Sequence, residues 1–385
     1  METEIVREGR VELEVPKLEN YRTSQKEYVP SKTPVFFNPV MELSRDLSVS
    51  SLQIYEEEID GLRICDLLAG VGARGIRYAK ELKSVSKVVI NDRSEKATEF
   101  IRKNKKINNL KSVEVREEDG NSLISGYRPR FHVIDIDPFG SPIPFIDSAL
   151  TAISRRGLLL ASATDTAPLC GNHPRPCKRR YGAKPLRTPY SRELGVRIFI
   201  GAIQRRAAAY DLAFKPVLTH ATQHYFRSHL KVSQGAKKAD KVLKNQGYIS
   251  HCFSCGRRKW KNGISTPLDE KCECGKEFHN SGPLWLGSLS DRNHIKNAII
   301  KTRENDFELS SEEIRLLELT KKETDGPPTF HEVHKLSSRA GVSPPKLDKT
   351  LRDIRKKGFF ASRTYFSDTG IRTDAPMEVL LEVIS

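Results

Sequence analysis

The chain has 385 residues, and its 65 lysines and arginines against 49 acidic residues give a formal net charge of +16. This length allows two or three domains with their own cores, and the excess of positive charge favours a polyanionic partner. No apolar run approaches the ~20 residues that a membrane-spanning helix needs, and the charged first residues lack the apolar core of a signal peptide. Seven cysteines, two pairs of them closely spaced, predict a cytoplasmic protein with a metal site rather than a disulfide framework.

Residues 1–60 are predicted to be an N-terminal segment that packs on the catalytic domain after it. The first stretch, EIVREGRVELEVP, alternates between apolar and polar residues as an edge strand or a hairpin does. Farther along, Phe36 and Phe37 precede a helical stretch that carries Arg45. On these residues alone, we expect the two aromatic rings to be core residues and the arginine to be a solvated helix charge.

Residues 61–235 alternate between apolar strands and helices, which is typical of an α/β domain. Five strands are predicted in the segments LRICDLLAG, KVVIND, SVEVREED, FHVIDID and GLLLASATD, and IPFIDSALTAISRRG is predicted as a helix. Near-continuous apolar strands separated by helices indicate a parallel sheet covered on both faces. Two later strands, LAFKPVLTHATQ and HYFRSHLKVS, would complete a seven-stranded sheet. Ligands bind such sheets outside the carboxyl ends of the strands.

A glycine motif follows the first of these strands. Gly70, Gly72 and Gly75 form the pattern G-x-G-x-x-G, which lets a tight turn approach a ligand closely. The pattern matches the dinucleotide fingerprint, so an NAD-dependent Rossmann oxidoreductase is one alternative.

Acidic residues at the strand ends favour a different ligand. Asp66 ends the first strand, where it could meet a substrate's ammonium group, and Asp92 follows the second strand, where it could bind ribose hydroxyls. Asp119, followed by Gly120, could accept a hydrogen bond from an adenine amine. S-adenosylmethionine presents an ammonium and an adenine but no pyrophosphate, so the acidic pattern favours this cofactor over NAD.

The fourth strand ends in the sequence Asp137-Pro138-Phe139-Gly140. These residue types suit the recognition of a flat base by its exocyclic amine. Asp137 can accept a hydrogen bond from the amine, and the carbonyl of Pro138 can accept a second one. The ring of Phe139 can stack on the base, a contact worth ~1–3 kcal/mol in nucleic-acid sites. The alternative is an ordinary turn, because Asp-Pro and Phe-Gly both occur in loops.

Residues 166–190 are predicted to be a loop rich in proline and glycine. Six basic residues and no acidic residue lie between Gly171 and Tyr190. Because the loop directly follows the fifth strand, on the side where ligands bind, we expect these cations to contact a phosphate backbone. The spacing of Cys170 and Cys177 does not fit a zinc site, and both are expected to be loop or core residues.

Residues 236–282 are predicted to hold a linker and a zinc-ribbon-like module. A C-x-x-C pair and a C-x-C pair, each near a glycine, are typical of two turns that complete a tetrahedral zinc site. The expected ligands are Cys252, Cys255, Cys272 and Cys274. Because the second pair is one residue short, His251 or His279 remains an alternative ligand. Such a closed site would hold structural zinc and would not be catalytic.

Residues 283–385 are predicted to form three helices and a hairpin, FFASRTYFSDTGIRTDAP, with its turn at Ser367 to Gly370. This order of elements is similar to a winged helix, which is a nucleic-acid-binding architecture. A protein-interaction module or a purely structural module is the alternative.

The chain resembles, over nearly its whole length, the tRNA guanine-26 N2-dimethyltransferase family of archaea and eukaryotes, in its archaeal form. The resemblance rests on the segments FFNPVMELSRD, DLLAGVGARGIRYAKE, VVINDRSEKA, FHVIDIDPFGSP, ATDTAPLCG and RTYFSDTGIRTDAP. It implies a class I S-adenosylmethionine-dependent methyltransferase fold and one or two methyl transfers to the exocyclic amine of a guanine in tRNA. Residues 283–385 would then be a C-terminal tRNA-binding domain, and no obligate protein partner is expected.

The resemblance also assigns site residues. Those around the cofactor would be Arg45, Arg74, Asp92, Asp119 and Gly120. Those on the guanine would be Asp137 and Phe139. The sequence departs from the family at Val40, where relatives carry a basic residue, and in its C-x-C pair. Some members lack the cysteines, so zinc is not expected to be essential to the chemistry. A non-catalytic zinc-containing RNA-binding protein remains the alternative outside the enzymes.

Overall fold

The computed structural model describes residues 1–22, 29, 32–128 and 130–385. The chain begins with a hairpin of two antiparallel strands, β1 (Thr3–Glu8) and β2 (Val11–Pro16), as its alternating sequence predicts. Val11, Leu13 and Val15 of β2 are buried, so one face of the hairpin packs on the elements that follow.

A seven-stranded sheet forms the centre of the molecule. Its strands are β3 (Leu62–Asp66), β4 (Val85–Asn91), β5 (Val113–Arg116), β6 (Phe131–Ile136), β7 (Ile153–Ala163), β8 (Leu212–Thr222) and β9 (Tyr225–Gln234). They lie in the order β5-β4-β3-β6-β7-β9-β8. The first five are parallel to one another, as predicted. Strand β9 is antiparallel to β8, because a turn of only two residues joins them, and it is also antiparallel to β7.

Helices cover both faces of this sheet, as predicted for an α/β domain. They are α1 (Glu42–Glu56), α2 (Ala73–Glu81), α3 (Glu95–Ile107), α4 (Gly120–Gly126), α5 (Ile143–Ala152), α6 (Thr166–Leu169), α7 (Pro174–Tyr181), α8 (Ser191–Ala208) and α9 (Ala236–Leu243). The hairpin and α1 to α3 pack on one face. Helices α4, α5 and α8 pack on the other. Between β3 and β6 the chain order reverses, and this is the topological switch point where such sheets bind ligands.

Some local predictions were wrong. The helix predicted across IPFIDSALTAISRRG ends at Ala152, because Ile153 already pairs with Phe131 in the sheet. The predicted loop 166–190 contains α6 and α7. Helix α7 starts at Pro174 and is followed by Gly182 at φ +60°, so its proline and glycine mark the ends of a helix rather than a loop. The basic linker likewise forms a helix, α9.

Two three-stranded sheets form the last part of the chain. The first consists of β10 (Gln246–His251), β11 (Arg258–Asn262) and β12 (His279–Trp285), with β10 in the middle. The second consists of β13 (His331–Glu332), β14 (Ala361–Thr364) and β15 (Ser367–Thr373), with β15 in the middle. The remaining helices are α10 (Arg292–Asn305), α11 (Ser310–Glu323), α12 (Val333–Ala340), α13 (Leu347–Lys356) and α14 (Met377–Ile384).

Two features of this region differ from the sequence prediction. The predicted domain boundary between residues 282 and 283 lies inside β12, and α10 packs on α1 through a shared apolar cluster. The turn of the last hairpin is at Tyr365 and Phe366, not at Ser367 to Gly370. Phe366 is buried and stacks on Phe330, so packing of this ring fixes the earlier turn. No helix in the described ranges combines the length and apolar character that crossing a membrane requires.

Candidate active site at the carboxyl edge of the sheet

An arginine and an aspartate meet at the switch point. Asp137 directly follows β6, and Arg74 lies in the first turn of α2. Arg74 Nε donates a hydrogen bond to Asp137 Oδ2 over 2.7 Å. Burial by itself would raise the pKa of Asp137, but the charges of Arg74 and Arg227 outweigh it and hold this pKa below its usual range. The carboxyl group is therefore ionised at neutral pH and can accept hydrogen bonds from a ligand.

The next residues form a rigid turn that presents an aromatic ring. Phe139 is 64% exposed, and its ring meets Phe36 edge to face with centroids 4.4 Å apart. Gly140, at φ +95°, donates its N–H to Thr164 Oγ1 over 2.6 Å, which ties the turn to the end of β7. The only hydrogen bond that the described residues offer the Pro138 carbonyl is a long one, 3.5 Å from Thr164 Oγ1. Asp137, Pro138 and Phe139 thus lie together at the carboxyl end of β6.

Residues of the glycine turn line the same pocket as Asp137. Gly70 has φ +55°, and a Cβ atom there would lie 2.5 Å from the Phe36 carbonyl oxygen, so only glycine fits. Gly72, at φ +83°, precedes α2. Asp92 accepts hydrogen bonds from the backbone N–H groups of Gly70 and Ser94, each over 3.0 Å. The predicted ribose-binding carboxylate therefore also holds the glycine turn in place.

Asp66 lies under the same edge. It is buried and accepts the N–H of Gly75 over 2.8 Å. Burial and the neighbouring charge of Asp135 raise the pKa of Asp66 to about 7. A buried carboxyl group of this kind would gain from a cationic ligand, because the ligand's charge would stabilise its ionised form.

The predicted adenine-binding pair lies at the start of α4. Asp119 is exposed and caps this helix, accepting the N–H of Ser122 over 3.1 Å. A Cβ atom on Gly120 would lie 3.2 Å from Leu67 Cγ, so the glycine lets α4 approach the end of β3. The sequence prediction lacked α4, whose seven residues are too few to show a helical period.

Arg45 is buried in the wall of the pocket, which differs from the sequence prediction. The expectation of a solvated helix charge is wrong, because the side chain is only 4% exposed. Arg45 Nε and Nη2 bind the two oxygens of Glu8 over 2.6 and 2.5 Å, and the guanidinium lies 5.2 Å from the centroid of the Phe37 ring. Arg45 lines the same pocket as Asp66, Arg74 and Asp137, but its charge is committed to Glu8.

Sequence reasoning missed a second buried ion pair below Asp137. Arg227, on β9, donates to both oxygens of Asp135 over 2.9 and 2.7 Å, and the Tyr78 hydroxyl donates to the same carboxylate over 2.6 Å. An acid within an apolar strand was the available signal, since an unpaired charge is rarely buried. The sequence also did not indicate that Phe36 lines the pocket and contacts Phe139, because its position beside an apolar run predicted only core packing.

The four cysteines of the two short pairs converge. Their Sγ atoms all lie within 4.8 Å of one another. A glycine closes each turn, since the Gly256 N–H donates to the Cys252 carbonyl and the Gly275 N–H donates to the Cys272 carbonyl, both over 2.8 Å. The group of possible ligands found in the described chain contains these cysteines without His251 or His279. The shorter C-x-C pair therefore reaches the same point as the C-x-x-C pair.

Comparison with known proteins gives one consistent result. The family model described as "N2,N2-dimethylguanosine tRNA methyltransferase" matches residues 9–385. A tRNA (guanine(26)-N(2))-dimethyltransferase of Methanosphaera stadtmanae is 41% identical, over 100% of this chain and 97% of that protein. The Pyrococcus abyssi enzyme of the same name is 35% identical, over 100% of this chain and 99% of that protein. A solved structure of Trm1 from Pyrococcus horikoshii with S-adenosyl-L-methionine is 34% identical, has a TM-score of 0.88 and covers 99% of both chains.

Proposed function

The chain belongs to the N2,N2-dimethylguanosine tRNA methyltransferase family, and we propose that it transfers one or two methyl groups from S-adenosylmethionine to the exocyclic N2 amine of guanine 26 of tRNA. The observation that carries this proposal is the Asp137 carboxylate, paired with Arg74, beside the exposed ring of Phe139 at the switch point of the sheet. The net charge of +16 suits a polyanionic substrate.

The pocket fits the amino-acid end of S-adenosylmethionine, which carries a carboxylate and an ammonium. Arg74 Nη1 is buried and lacks a hydrogen-bond partner in the described chain, so it could donate to that carboxylate. Asp66, with its raised pKa, could pair with the ammonium. When bound, the cofactor supplies an electrophilic methyl group on a sulfonium.

The rest of the cofactor would lie along the same edge. The turn at Gly70 and Gly72 would approach it closely, Asp92 would bind ribose hydroxyls, and Asp119 with Gly120 would lie at the adenine. Arg45 would act differently from a direct ligand. Its ion pair with Glu8 fixes the pocket wall that Phe37 also lines.

Asp137, Pro138 and Phe139 would hold the guanine. The N2 amine is a poor nucleophile because its lone pair is delocalised into the ring. Hydrogen bonds from its protons to the Asp137 carboxylate and the Pro138 carbonyl would return electron density to nitrogen. Phe139 would stack on the base and orient it, which is a proximity effect. N2 becomes strongly acidic on methylation, so Asp137 can take its proton despite a low pKa. The guanine must first leave its stack, at a cost of a few kcal/mol.

Two further proposals concern the last third of the chain. Cys252, Cys255, Cys272 and Cys274 would bind one structural zinc in a zinc-ribbon-like module, which their convergence supports. The order α11, β13, α12, α13, β14 and β15 supports a winged-helix-like module in residues 283–385. We assign tRNA binding to this module and to the cations of α7.

A methyl-transfer assay tests the function. Purified protein is incubated with labelled S-adenosylmethionine and unmodified tRNA, and the nucleosides of the product are separated. We expect N2-methylguanosine or N2,N2-dimethylguanosine, and we expect none from a tRNA with adenosine at position 26. Equal labelling of both tRNAs would contradict the assignment of guanine 26, and no labelling of either would contradict methyl transfer to tRNA.

A further inference from the structure

A cleft far from Asp137 along the chain is lined by the cysteine module and helix α12. Its walls include Pro189, Phe253, Lys335, Leu336 and Arg339. Phe253 belongs to the first cysteine turn and is 46% exposed. The rings of His251 and His279 meet it edge to face, with centroids 4.6 and 5.1 Å away, and so hold it in place. The cleft thus presents a fixed aromatic ring to solvent.

The charge of the cleft is mainly positive. Lys335 is exposed and has no ion pair within the part of the chain that the structure describes. Arg339 donates to the backbone carbonyl of Phe253 over 3.2 Å and to that of Ser254, which fastens the cysteine turn to α12. The acid of the cleft, Glu332, accepts a hydrogen bond from Thr369 Oγ1 over 2.6 Å. Lys335 therefore remains available to an anionic ligand.

The stretch of chain from Asp165 to Pro189 runs from the active-site edge to this cleft and carries exposed cations. Asp165, just beyond β7, binds Arg180 Nη1 over 3.0 Å and so ties α7 to the carboxyl edge of the sheet. The exposed cations that follow are Arg175, Lys178, Arg179, Lys184 and Arg187. Lys184 pairs through its backbone with Gly282 of β12, and Pro189 lines the cleft itself. A polyanion that enters the active site could therefore extend along α7 to Phe253.

We propose that this cleft binds an unpaired nucleotide of the same tRNA, at a point remote from guanine 26. The base would stack on Phe253, and a phosphate would lie against Lys335. A base must be unpaired to offer its face to a side chain, because the faces of paired bases are covered within a helix. The inference rests on the proposed function, since it takes tRNA as the substrate.

The test uses the full chain and compares Phe253→Ala with Tyr210→Ala. Tyr210 is a matched control because it is 43% exposed, much like Phe253. It precedes β8, whose first residue lies at the end of the sheet opposite the carboxyl edge. We expect Phe253→Ala to raise both the Kd for tRNA and the KM by roughly tenfold, as loss of one stacked base would. kcat at saturating tRNA should stay unchanged, and Phe253→Tyr should restore binding. Zinc content should match that of the unsubstituted protein, which shows that the cysteine turn is intact.

Lys335→Gln provides a second, independent variant on the other wall. It should weaken tRNA binding and reduce the slope of log Kd against log salt by about 1, whereas Phe253→Ala should leave that slope unchanged. A tRNA Kd within twofold of the unsubstituted value in both variants would overturn the inference. Such a result with methylation of guanine 26 intact would leave the proposed function standing, whereas failure of the unsubstituted protein to methylate tRNA would count against that function itself.

Discussion

Arg74 Nε lies 2.7 Å from Asp137 Oδ2, so a residue proposed to bind the cofactor and a residue proposed to bind the guanine form one ion pair. The two residues reach each other because α2 begins and β6 ends at the same edge of the sheet. The charge state of Asp137 therefore depends on Arg74. A substitution of Arg74 should therefore also alter the pKa of Asp137 on the guanine side of the pocket.

Replacing Asp137 by asparagine should remove the negative charge while keeping the size of the side chain. We expect kcat for methyl transfer to fall by ~10²–10⁴, since a positioned acceptor of the amine proton is lost. The Kd for S-adenosylmethionine, measured by calorimetry, should change by no more than about threefold, roughly 0.6 kcal/mol. Asp147→Asn, at a half-buried acid on α5 that pairs with Arg206, is the control and should leave kcat unchanged. An unchanged kcat in the Asp137 variant would contradict its assigned role.

Replacing Arg74 by leucine should change the pH dependence of the reaction. Arg74 lowers the pKa of Asp137, so its loss should raise that pKa, because burial is then less opposed. Asp137 must be ionised to act, so the acidic limb of the kcat profile should move to higher pH. The measurement is kcat against pH at saturating cofactor and tRNA, with Arg102→Leu, an exposed change on α3, as the control. If the acidic limb of the kcat profile does not move in the Arg74 variant, ionisation of Asp137 does not determine that limb.

Replacing Cys272 by serine should disrupt the cysteine cluster. We expect about one zinc per chain in the unsubstituted protein, measured by elemental analysis, and markedly less in the variant, because a tetrahedral site needs all four ligands. The thermal unfolding temperature should fall as well, since structural zinc contributes to folding. Cys170→Ser, outside the cluster, should keep the metal. Equal zinc content in both variants would remove the basis for the site.

Replacing Arg372 by methionine should weaken the attachment of the last hairpin. Its guanidinium binds Glu193 of α8 over 2.9 Å and Glu323 of α11 over 2.8 Å, and all three side chains are buried. Burial alone would raise the pKa of Glu193, but Arg372 and Arg197 hold it at about 2. Removing Arg372 leaves buried carboxylates without their main partner, so the free energy of unfolding should fall by about 3–5 kcal/mol.

Denaturant unfolding measures this loss. Arg363→Met is the matched control, because Arg363 lies on the same hairpin and forms an exposed pair with Asp348. We expect a change below about 1 kcal/mol there. Similar losses in the two variants would show that burial of the Arg372 pair is not what stabilises the hairpin.

Replacing Glu313 by glutamine should alter stability in a pH-dependent way. Burial and the neighbouring Asp46 raise the pKa of Glu313 from 4.5 to about 10. In the unfolded chain, Glu313 loses its proton above pH 4.5. In the folded chain, it keeps the proton up to about pH 10. The free energy of unfolding should therefore fall as pH rises between them, and the glutamine variant should lose less.

Unfolding curves at pH 5 and pH 8 measure this difference. Glu312→Gln, at the exposed neighbour of Glu313 on α11, is the control and should follow the unsubstituted protein at both pH values. If the Glu313 variant gains no stability relative to the unsubstituted protein between pH 5 and pH 8, the residue is ionised in the folded state.

The sequence by itself determined the features that depend on neighbouring residues. Apolar runs of strand length predicted β3 to β7, and the order of elements predicted that Asp66, Asp92 and Asp137 end strands at one edge. The cysteine spacing predicted a cluster that the structure brings together. Each of these is local, because strand burial, tight turns and metal knuckles are encoded within a few residues of each other.

Only the tertiary structure decided which charges meet. Arg45 is committed to Glu8, Arg74 to Asp137, and Arg227 to Asp135, across as many as 92 positions in the chain. No periodicity encodes such pairs, because they depend on strand order and on how helices are layered over the sheet. A buried charge requires a partner, but the sequence does not say which one. The register of the folded sheet makes that choice, and it also decides that Phe139 faces solvent beside Phe36 while Arg45 does not.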